Sequence, residues 1–263
     1  MPYRVDVSHP PGDALDHLVT LGALDIESSG NGLAAILPDS VTPAAVAAAL
    51  GMVRVTTSEA VGRDDGSVWV LSPRVVSAGG VVIAPQGVDA PPGALRLTDA
   101  PVFGSGLHPT TALCMEALDE IVAAARPHSA LDVGTGSGVL ALAALLKGVP
   151  RAVGLDTDDR ALAAAADHAR LNHLEDRLTL VRGGPDAVEG TWPLVLANVL
   201  AAPLIEMAPI LVRRVGHGGE LVLSGIPWAV AEDVERAYRR LGMRAATSST
   251  RAGWTALALR ASW

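Results

Sequence analysis

The stretch of this chain that decides the fold is Leu131-Asp132-Val133-Gly134-Thr135-Gly136-Ser137-Gly138. An apolar run ends here in three closely spaced glycines, and a helix-like run follows over residues 139–147. A second apolar run, residues 152–155, ends in the acidic residue Asp156. Glycine lets backbone amides approach a ligand closely, and a carboxylate at the end of the next strand can accept hydrogen bonds from ribose hydroxyls. The pattern therefore predicts a strand–turn–helix–strand unit that binds a nucleoside.

The glycine spacing indicates which nucleoside. A dinucleotide fingerprint needs its third glycine at the position that Val139 occupies here, whereas Gly134, Gly136 and Gly138 alternate. The turn also contains no basic residue that could meet a pyrophosphate. This spacing resembles the first motif of class I S-adenosylmethionine-dependent methyltransferases, whose ligand carries no phosphate. Another nucleotide-binding protein, such as a dehydrogenase, and a turn that only packs a helix on a sheet remain alternatives.

Composition restricts the class of protein further. The chain has 263 residues, of which 49% are hydrophobic, and its formal net charge is −8. That charge argues against broad affinity for nucleic acid and suits a basic protein partner. Cys114 is the single cysteine, so no intramolecular disulfide forms, and its apolar helical surroundings predict a core residue. The seven histidines show no metal-ligand spacing, so we expect no metal site.

No apolar stretch reaches the roughly 18 residues that a membrane span needs. Residues 1–6 include a proline and an acid in place of the apolar core of a signal peptide. We therefore expect a soluble, cytoplasmic protein with no membrane partner.

Three regions follow one another along the chain. Residues 1–61 show a βαββαβ order, which predicts a small ferredoxin-like α+β domain with a turn at 28–32 and a helix capped by Thr42. Residues 62–100 are rich in glycine and proline and are interpreted as a connector with short strand-like pieces. Residues 101–263 alternate strand-like and helical runs, which predicts a Rossmann-like, doubly wound, mostly parallel sheet. Gly134, Asp156 and Asn198 fall at carboxyl ends of its strands, where such sheets bind ligands.

Three further segments carry a family resemblance: Phe103-Gly104-Ser105-Gly106-Leu107-His108-Pro109-Thr110-Thr111, Leu196-Ala197-Asn198-Val199-Leu200 and Leu223-Ser224-Gly225-Ile226. With the glycine turn, they resemble the ribosomal protein methyltransferase family PrmA, over residues 101–226 above all. The resemblance implies a protein N-methyltransferase that uses S-adenosylmethionine. Its implied substrate is a basic ribosomal protein, protein eleven of the large subunit, methylated on amino groups of lysine side chains or the N-terminus. It also implies that the amino-terminal domain recognises the substrate.

The resemblance also assigns site residues. The cofactor-binding positions are Thr111, Gly134, Gly136, Asp156 and Asn198. Asn198 lies between cofactor and acceptor amine and is also the catalytic residue. Local alternatives remain for each side chain. Thr110 or Thr111 could cap the following helix, Asp156 could cap the helix after it, and Asn198 could be a satisfied strand-end amide.

His108 is a candidate general base, and its alternative is a histidine hydrogen-bonded locally beside Pro109. Asp158-Asp159 begins a helix and is expected to cap it.

The chemistry fits a neutral amide at position 198. An amine must lose its proton before it accepts a methyl group, and a poorly hydrated site lowers the pKa of an ammonium. The Asn198 carbonyl can accept an N–H bond without trapping the charged form. Asn198 is followed by Val199-Leu200 and no aromatic residue, which weakens a nucleic-acid base as acceptor. Methylation of another protein or a small amine, and a non-catalytic cofactor-binding partner protein, are the alternative functions.

Overall fold

The computed structural model describes residues 1–29, 32–51, 53–64 and 66–263. The chain divides into two compact units, Met1–Pro73 and Arg74–Trp263. The predicted turn at 28–32 includes Gly30 and Asn31, which lie outside the described residues.

The first unit has the predicted βαββαβ order. Its elements are β1 (Tyr3–Ser8), α1 (Ala14–Thr20), β2 (Asp25–Ser29), β3 (Gly32–Leu37), α2 (Pro43–Ala49) and β4 (Val55–Glu59), followed by the short strands β5 (Gly62–Arg63) and β6 (Val68–Trp69). The first four strands form an antiparallel sheet in the order β2-β3-β1-β4. Thr42 caps α2 as predicted, because its hydroxyl accepts the Ala45 N–H at 3.2 Å. The ferredoxin-like name remains an interpretation of this topology.

The second unit begins with a three-stranded sheet of β7 (Val76–Ala78), β8 (Val81–Pro85) and β9 (Leu95–Leu97). This sheet lies within residues 62–100, the region predicted as a connector with short strand-like pieces. The boundary between the units falls inside it, and it carries five short strands among the described residues. Short valine and leucine runs between glycines and prolines resemble a linker in composition, yet Ile83 and Leu95 are buried in the same core as the helices that follow.

The remaining elements of this unit alternate in type. They are α3 (Pro109–Ala125), β10 (Ser129–Val133), α4 (Val139–Leu146), β11 (Arg151–Asp156), α5 (Asp159–Leu171), β12 (Leu178–Arg182), β13 (Trp192–Asn198), α6 (Ala201–Arg214), β14 (Val215–Pro227), α7 (Ala231–Arg239), β15 (Met243–Arg251) and β16 (Trp254–Ala261). Single 3-10 turns cover Glu175–Arg177 and Trp228–Val230.

These strands form one seven-stranded sheet in the order β12-β11-β10-β13-β14-β16-β15. The first five are parallel, while β16 pairs antiparallel with both β14 and β15. Alternate residues of a strand face opposite cores: Leu194 and Leu196 pack with α3 and α4, and Val195 and Ala197 pack with α6 and α7. The predicted doubly wound α/β fold is confirmed, and strand order reverses between β10 and β13.

Candidate active site

The glycine turn connects β10 to α4 at the carboxyl edge of the sheet. Gly134, Gly136 and Gly138 have φ angles of 71°, 54° and 80°. The N–H groups of Gly134 and Thr135 donate to the Leu155 carbonyl at 2.9 and 2.8 Å. The turn is therefore built directly onto the end of β11, beside Asp156.

Asp156 joins this turn to the next helix. Its Oδ2 accepts the Gly136 N–H at 2.9 Å, and its Oδ1 accepts the Asp158 N–H at 3.0 Å. The cap of α5 is Asp158, whose Oδ1 accepts the Arg160 N–H at 2.8 Å, so the alternative that Asp156 caps the helix is wrong. A carboxylate has about four lone-pair positions, and Asp156 is only half-buried. It therefore retains acceptor capacity for ribose hydroxyls.

The Phe-Gly-Ser-Gly segment lies directly against the glycine turn. The Ser137 N–H donates to the Phe103 carbonyl at 2.9 Å, and the Ser137 hydroxyl donates to the Gly104 carbonyl at 2.7 Å. A Cβ atom on Gly136 would lie 2.6 Å from the Phe103 oxygen. Glycine is therefore required at position 136 both by its positive φ and by this close approach.

The start of α3 differs from the sequence-based alternatives. His108 is the N-cap: its Nδ1 lies 3.3 Å from the Thr110 nitrogen and 2.7 Å from the Thr110 hydroxyl. Capping by Thr110 or Thr111 is therefore wrong, and the local hydrogen bond expected of His108 is present. Its ring also meets those of Phe103 and Trp254 edge-on, with centroids 5.4 and 5.1 Å apart.

Two predicted site residues carry buried oxygens that lack a partner among the described residues: Thr111 Oγ1 and Asn198 Oδ1. The alternative that Asn198 is a satisfied strand-end amide does not hold for this oxygen. Leaving a buried polar atom unpaired costs about 1–3 kcal/mol, so such atoms mark positions where a ligand can bond. Ser224, the register partner of Asn198, donates to the Thr110 carbonyl at 3.0 Å. The first turn of α3 therefore lies over the ends of β13 and β14.

The structure thus brings Thr111, Gly134, Gly136, Asp156 and Asn198 together at one edge of the sheet. Their individual roles stay predictions. A nucleoside-bearing cofactor fits this arrangement, because a glycine turn that excludes a side chain lies beside a carboxylate and two buried oxygens that have no partner in the described part of the chain.

Asp132 contributes to the structure of the site, although the sequence analysis assigned it no role. It is buried, and its Oδ2 accepts the Thr135 hydroxyl at 2.7 Å and the Ala141 N–H at 3.2 Å. Burial, with a smaller contribution from the charge of Asp156, raises the pKa of Asp132 to about 6. The side chain ties the end of β10 to the turn and to α4.

His168 was also missed, because its sequence position was weighed only as a metal ligand. It lies 1% exposed in the last turn of α5, and its ring hydrogen-bonds to the glycine turn and to Thr98. A signal was present: it lies on the buried stripe Ala161, Ala164, Ala165, His168 and Ala169. A polar ring on the apolar face of a helix requires buried hydrogen-bond partners.

Two large apolar residues lie exposed near the same edge. Leu200 follows β13 and is 65% exposed, and Trp228 follows β14 and is 68% exposed. The Trp228 N–H donates to the Gly253 carbonyl at 2.9 Å, just before β16 begins. Both side chains are therefore accessible from solvent.

Among the described residues, no group of three or more His, Cys, Asp or Glu side chains could hold a metal ion. Within the same part of the chain, no helix is both long and apolar enough to cross a membrane.

The sheet order, with one antiparallel strand inserted beside β14, and the glycine-turn site define a class I S-adenosylmethionine-dependent methyltransferase domain. The family model described as "Ribosomal protein L11 methyltransferase (PrmA)" matches residues 80–262. The chain belongs to this family, and the predicted resemblance is confirmed.

Relatives and solved structures agree. A protein of Chromohalobacter salexigens named "Ribosomal protein L11 methyltransferase" is 42% identical over 175 residues, which are 65% of this chain and 58% of that protein. A protein of the same name from Myxococcus xanthus is 36% identical over 219 residues, 82% of this chain and 75% of that protein. The crystal structure of a ribosomal protein L11 methylase from Lactobacillus delbrueckii subsp. bulgaricus superposes with a TM-score of 0.65 at 29% identity, covering 71% of this chain and 98% of that one. The chain thus spans less than two thirds of the length of some curated relatives.

Proposed function

We propose that this chain transfers methyl groups from S-adenosylmethionine to amino groups of ribosomal protein L11, on lysine side chains or the N-terminus. The observation that carries the proposal is the buried, unpartnered Asn198 carbonyl oxygen at the end of β13, among the residues described. It is a neutral acceptor at the edge where the glycine turn and Asp156 bind the nucleoside. Family membership supports the choice of substrate.

Four residues hold the cofactor in this proposal. Gly134 and Gly136 let the turn approach it, and Asp156 accepts hydrogen bonds from the ribose while it fixes the turn through the Gly136 N–H. The Thr111 hydroxyl, buried and unpaired within the described structure, supplies a further polar contact. When bound, S-adenosylmethionine supplies a methyl group that its sulfonium already activates.

Asn198 acts on the acceptor. Its Oδ1 accepts an N–H bond of the amine and orients the lone pair, and alignment of this kind is a major source of rate enhancement. Its neutrality leaves the ammonium form without a counter-charge, and the poorly hydrated edge lowers the pKa of the amine. Leu200 and Trp228 contact the alkyl stem or neighbouring residues of the substrate.

The amino-terminal unit recognises the substrate protein in this proposal. Residues 1–73 contain nine acidic residues and three arginines, a formal net charge of −6 out of the −8 of the whole chain. An acidic surface attracts a basic protein over a screening length of about 8–10 Å. We therefore expect the KM for the ribosomal protein to rise with salt while the cofactor dissociation constant changes little. We also propose that the reaction takes place in the cytoplasm, where ribosomal proteins are made.

The test is incubation with labelled S-adenosylmethionine and purified L11, followed by mass spectrometry of the modified residues. Asp156→Ala should weaken cofactor binding by at least tenfold, since bonds to a charged acceptor contribute about 1.5–3 kcal/mol each. The matched control is Asp159→Ala, which removes an exposed carboxylate paired with Arg182 and should bind cofactor normally. Asn198→Ala should lower kcat about a hundredfold or more with a smaller effect on cofactor affinity.

Absence of methyl transfer to L11 despite cofactor binding would redirect the search to another protein or a small amine. A normal rate in Asn198→Ala would show that this asparagine is structural. Asn198→Asp adds a discriminating arm, because a carboxylate favours the ammonium and should shift the rate profile to higher pH.

A further inference from the structure

His168 hydrogen-bonds to two segments of the candidate active site, the glycine turn and the stretch that begins at Thr98. Its Nδ1 lies 2.8 Å from the Ser137 carbonyl oxygen, and its Nε2 lies 3.0 Å from the Thr98 nitrogen and 2.8 Å from the Thr98 hydroxyl. A carbonyl only accepts and a backbone N–H only donates, so Nδ1 carries the proton and Nε2 is the acceptor. Burial lowers the pKa of His168, which favours this neutral form.

The two partners of His168, Thr98 and Ser137, are also connected to each other, through the chain from Thr98 to Phe103 and the hydrogen bond from Ser137 to Phe103. Thr98 lies five residues before Phe103-Gly104-Ser105-Gly106, which we call the Phe103 segment, and Ser137 belongs to the glycine turn. Ser137 itself donates to the carbonyls of Phe103 and Gly104 at 2.9 and 2.7 Å. The imidazole therefore closes a loop of contacts that fixes the Phe103 segment relative to the turn. Gly136, which immediately precedes Ser137 in the turn, donates its N–H to Asp156.

Asn172, one helical turn after His168, hydrogen-bonds to the β9 region. Its Oδ1 accepts the Arg96 N–H and its Nδ2 donates to the Arg96 carbonyl, both at 2.7 Å. Its Nδ2 also donates to the His168 carbonyl at 2.7 Å. Both side chains attach α5 to the segment around β9, but His168 also reaches the glycine turn.

We propose that His168 is a positioning residue for the cofactor: it holds the glycine turn and the Phe103 segment in the cofactor-binding arrangement through Ser137 and Thr98. This rests on the proposed function, in which the turn binds S-adenosylmethionine. The neutral imidazole is suited to the task, because its donor and its acceptor point in opposite directions and satisfy two backbone groups at once.

Two substitutions test the two hydrogen bonds of the His168 side chain separately. His168→Asn keeps an amide near the position of Nδ1 and can still donate to Ser137. His168→Gln reaches the position of Nε2 and can still accept from Thr98. If the bridge matters, each should weaken binding of S-adenosylmethionine and S-adenosylhomocysteine by about tenfold in calorimetry, the equivalent of one lost hydrogen bond. The matched control is Asn172→Ala, which should lower the melting temperature but leave both affinities within about twofold.

Thr98→Val provides an arm that leaves the buried imidazole in place. It removes the hydroxyl contact and should weaken binding about threefold, which decides the question where a His168 variant does not fold. Parental affinity in His168→Asn and His168→Gln, or an equal loss in Asn172→Ala, would overturn the positioning role alone. Absence of cofactor binding by the parent chain would overturn the proposed function, and the positioning role with it.

Discussion

Gly136→Ala is the substitution whose effect the structure specifies most closely. Gly136 adopts a φ of 54°, and an added Cβ would lie 2.6 Å from the Phe103 carbonyl oxygen. That oxygen cannot retreat freely, because it accepts the Ser137 N–H at 2.9 Å. The variant must therefore move the Phe103 backbone or the turn, and either change disturbs the N–H that Gly136 gives to Asp156.

The expected loss of stability in Gly136→Ala has two parts. Placing alanine in the left-handed region costs about 1–2 kcal/mol. The close contact adds about 1–3 kcal/mol, the usual range for overpacking. The free energy of unfolding should therefore fall by about 2–5 kcal/mol, and the melting temperature by roughly 5–15 °C for a unit of this size. Cofactor affinity should fall by at least about tenfold, since the turn and the ribose-binding carboxylate shift together.

The control is Gly218→Ala. Gly218 has a φ of 63°, close to that of Gly136, but nothing lies within 4 Å of its added Cβ. This variant isolates the cost of placing alanine in the left-handed conformation. The free energy of unfolding should therefore fall by only about 1–2 kcal/mol, and cofactor affinity should stay parental.

Denaturant unfolding and calorimetric titration with S-adenosylhomocysteine measure both quantities for the two variants. Equal destabilisation of Gly136→Ala and Gly218→Ala would refute the close-contact argument. Parental affinity in Gly136→Ala would refute the claim that this turn holds the nucleoside.

Three further outcomes follow from burial and exposure. Burial raises the pKa of Asp132 to about 6, so the folded state binds its proton more tightly than the unfolded state, and the contribution of Asp132 to the free energy of unfolding should rise by up to about 3 kcal/mol as pH falls from about 7 to about 4. Denaturant titrations should show it as a difference between the parent and Asp132→Asn that changes with pH. Cys114 is fully buried, and burial raises the pKa of its thiol. An alkylating reagent should therefore label it only in denaturant, as mass spectrometry can show, and rapid labelling of the native protein would contradict its core position. Trp228→Ala should raise the KM for ribosomal protein L11 several-fold and leave cofactor affinity unchanged, whereas a parental KM in steady-state assays excludes Trp228 from the acceptor surface.

Much of the fold could be predicted because its signals are local. The apolar run, the glycine spacing and the acid after the second run fix a strand–turn–helix–strand unit through backbone sterics and hydrophobic periodicity. The carboxyl ends of parallel strands share an edge, so the sequence alone places Gly134, Asp156 and Asn198 together. At residues 62–100, composition indicates short strand-like pieces but does not show which strands pair with one another.

The tertiary structure alone decided the contacts that join distant segments. The bond of His168 to Ser137 spans 31 residues, and that to Thr98 spans 70. No periodicity encodes such pairs: a buried polar residue on a helix reveals that it needs partners, but not which segments supply them. The same holds for His108 as cap in place of a threonine, and for the unpaired oxygens of Thr111 and Asn198 among the described residues. Sequence pattern determines which face of an element is buried, whereas hydrogen-bond satisfaction depends on what packs against that face.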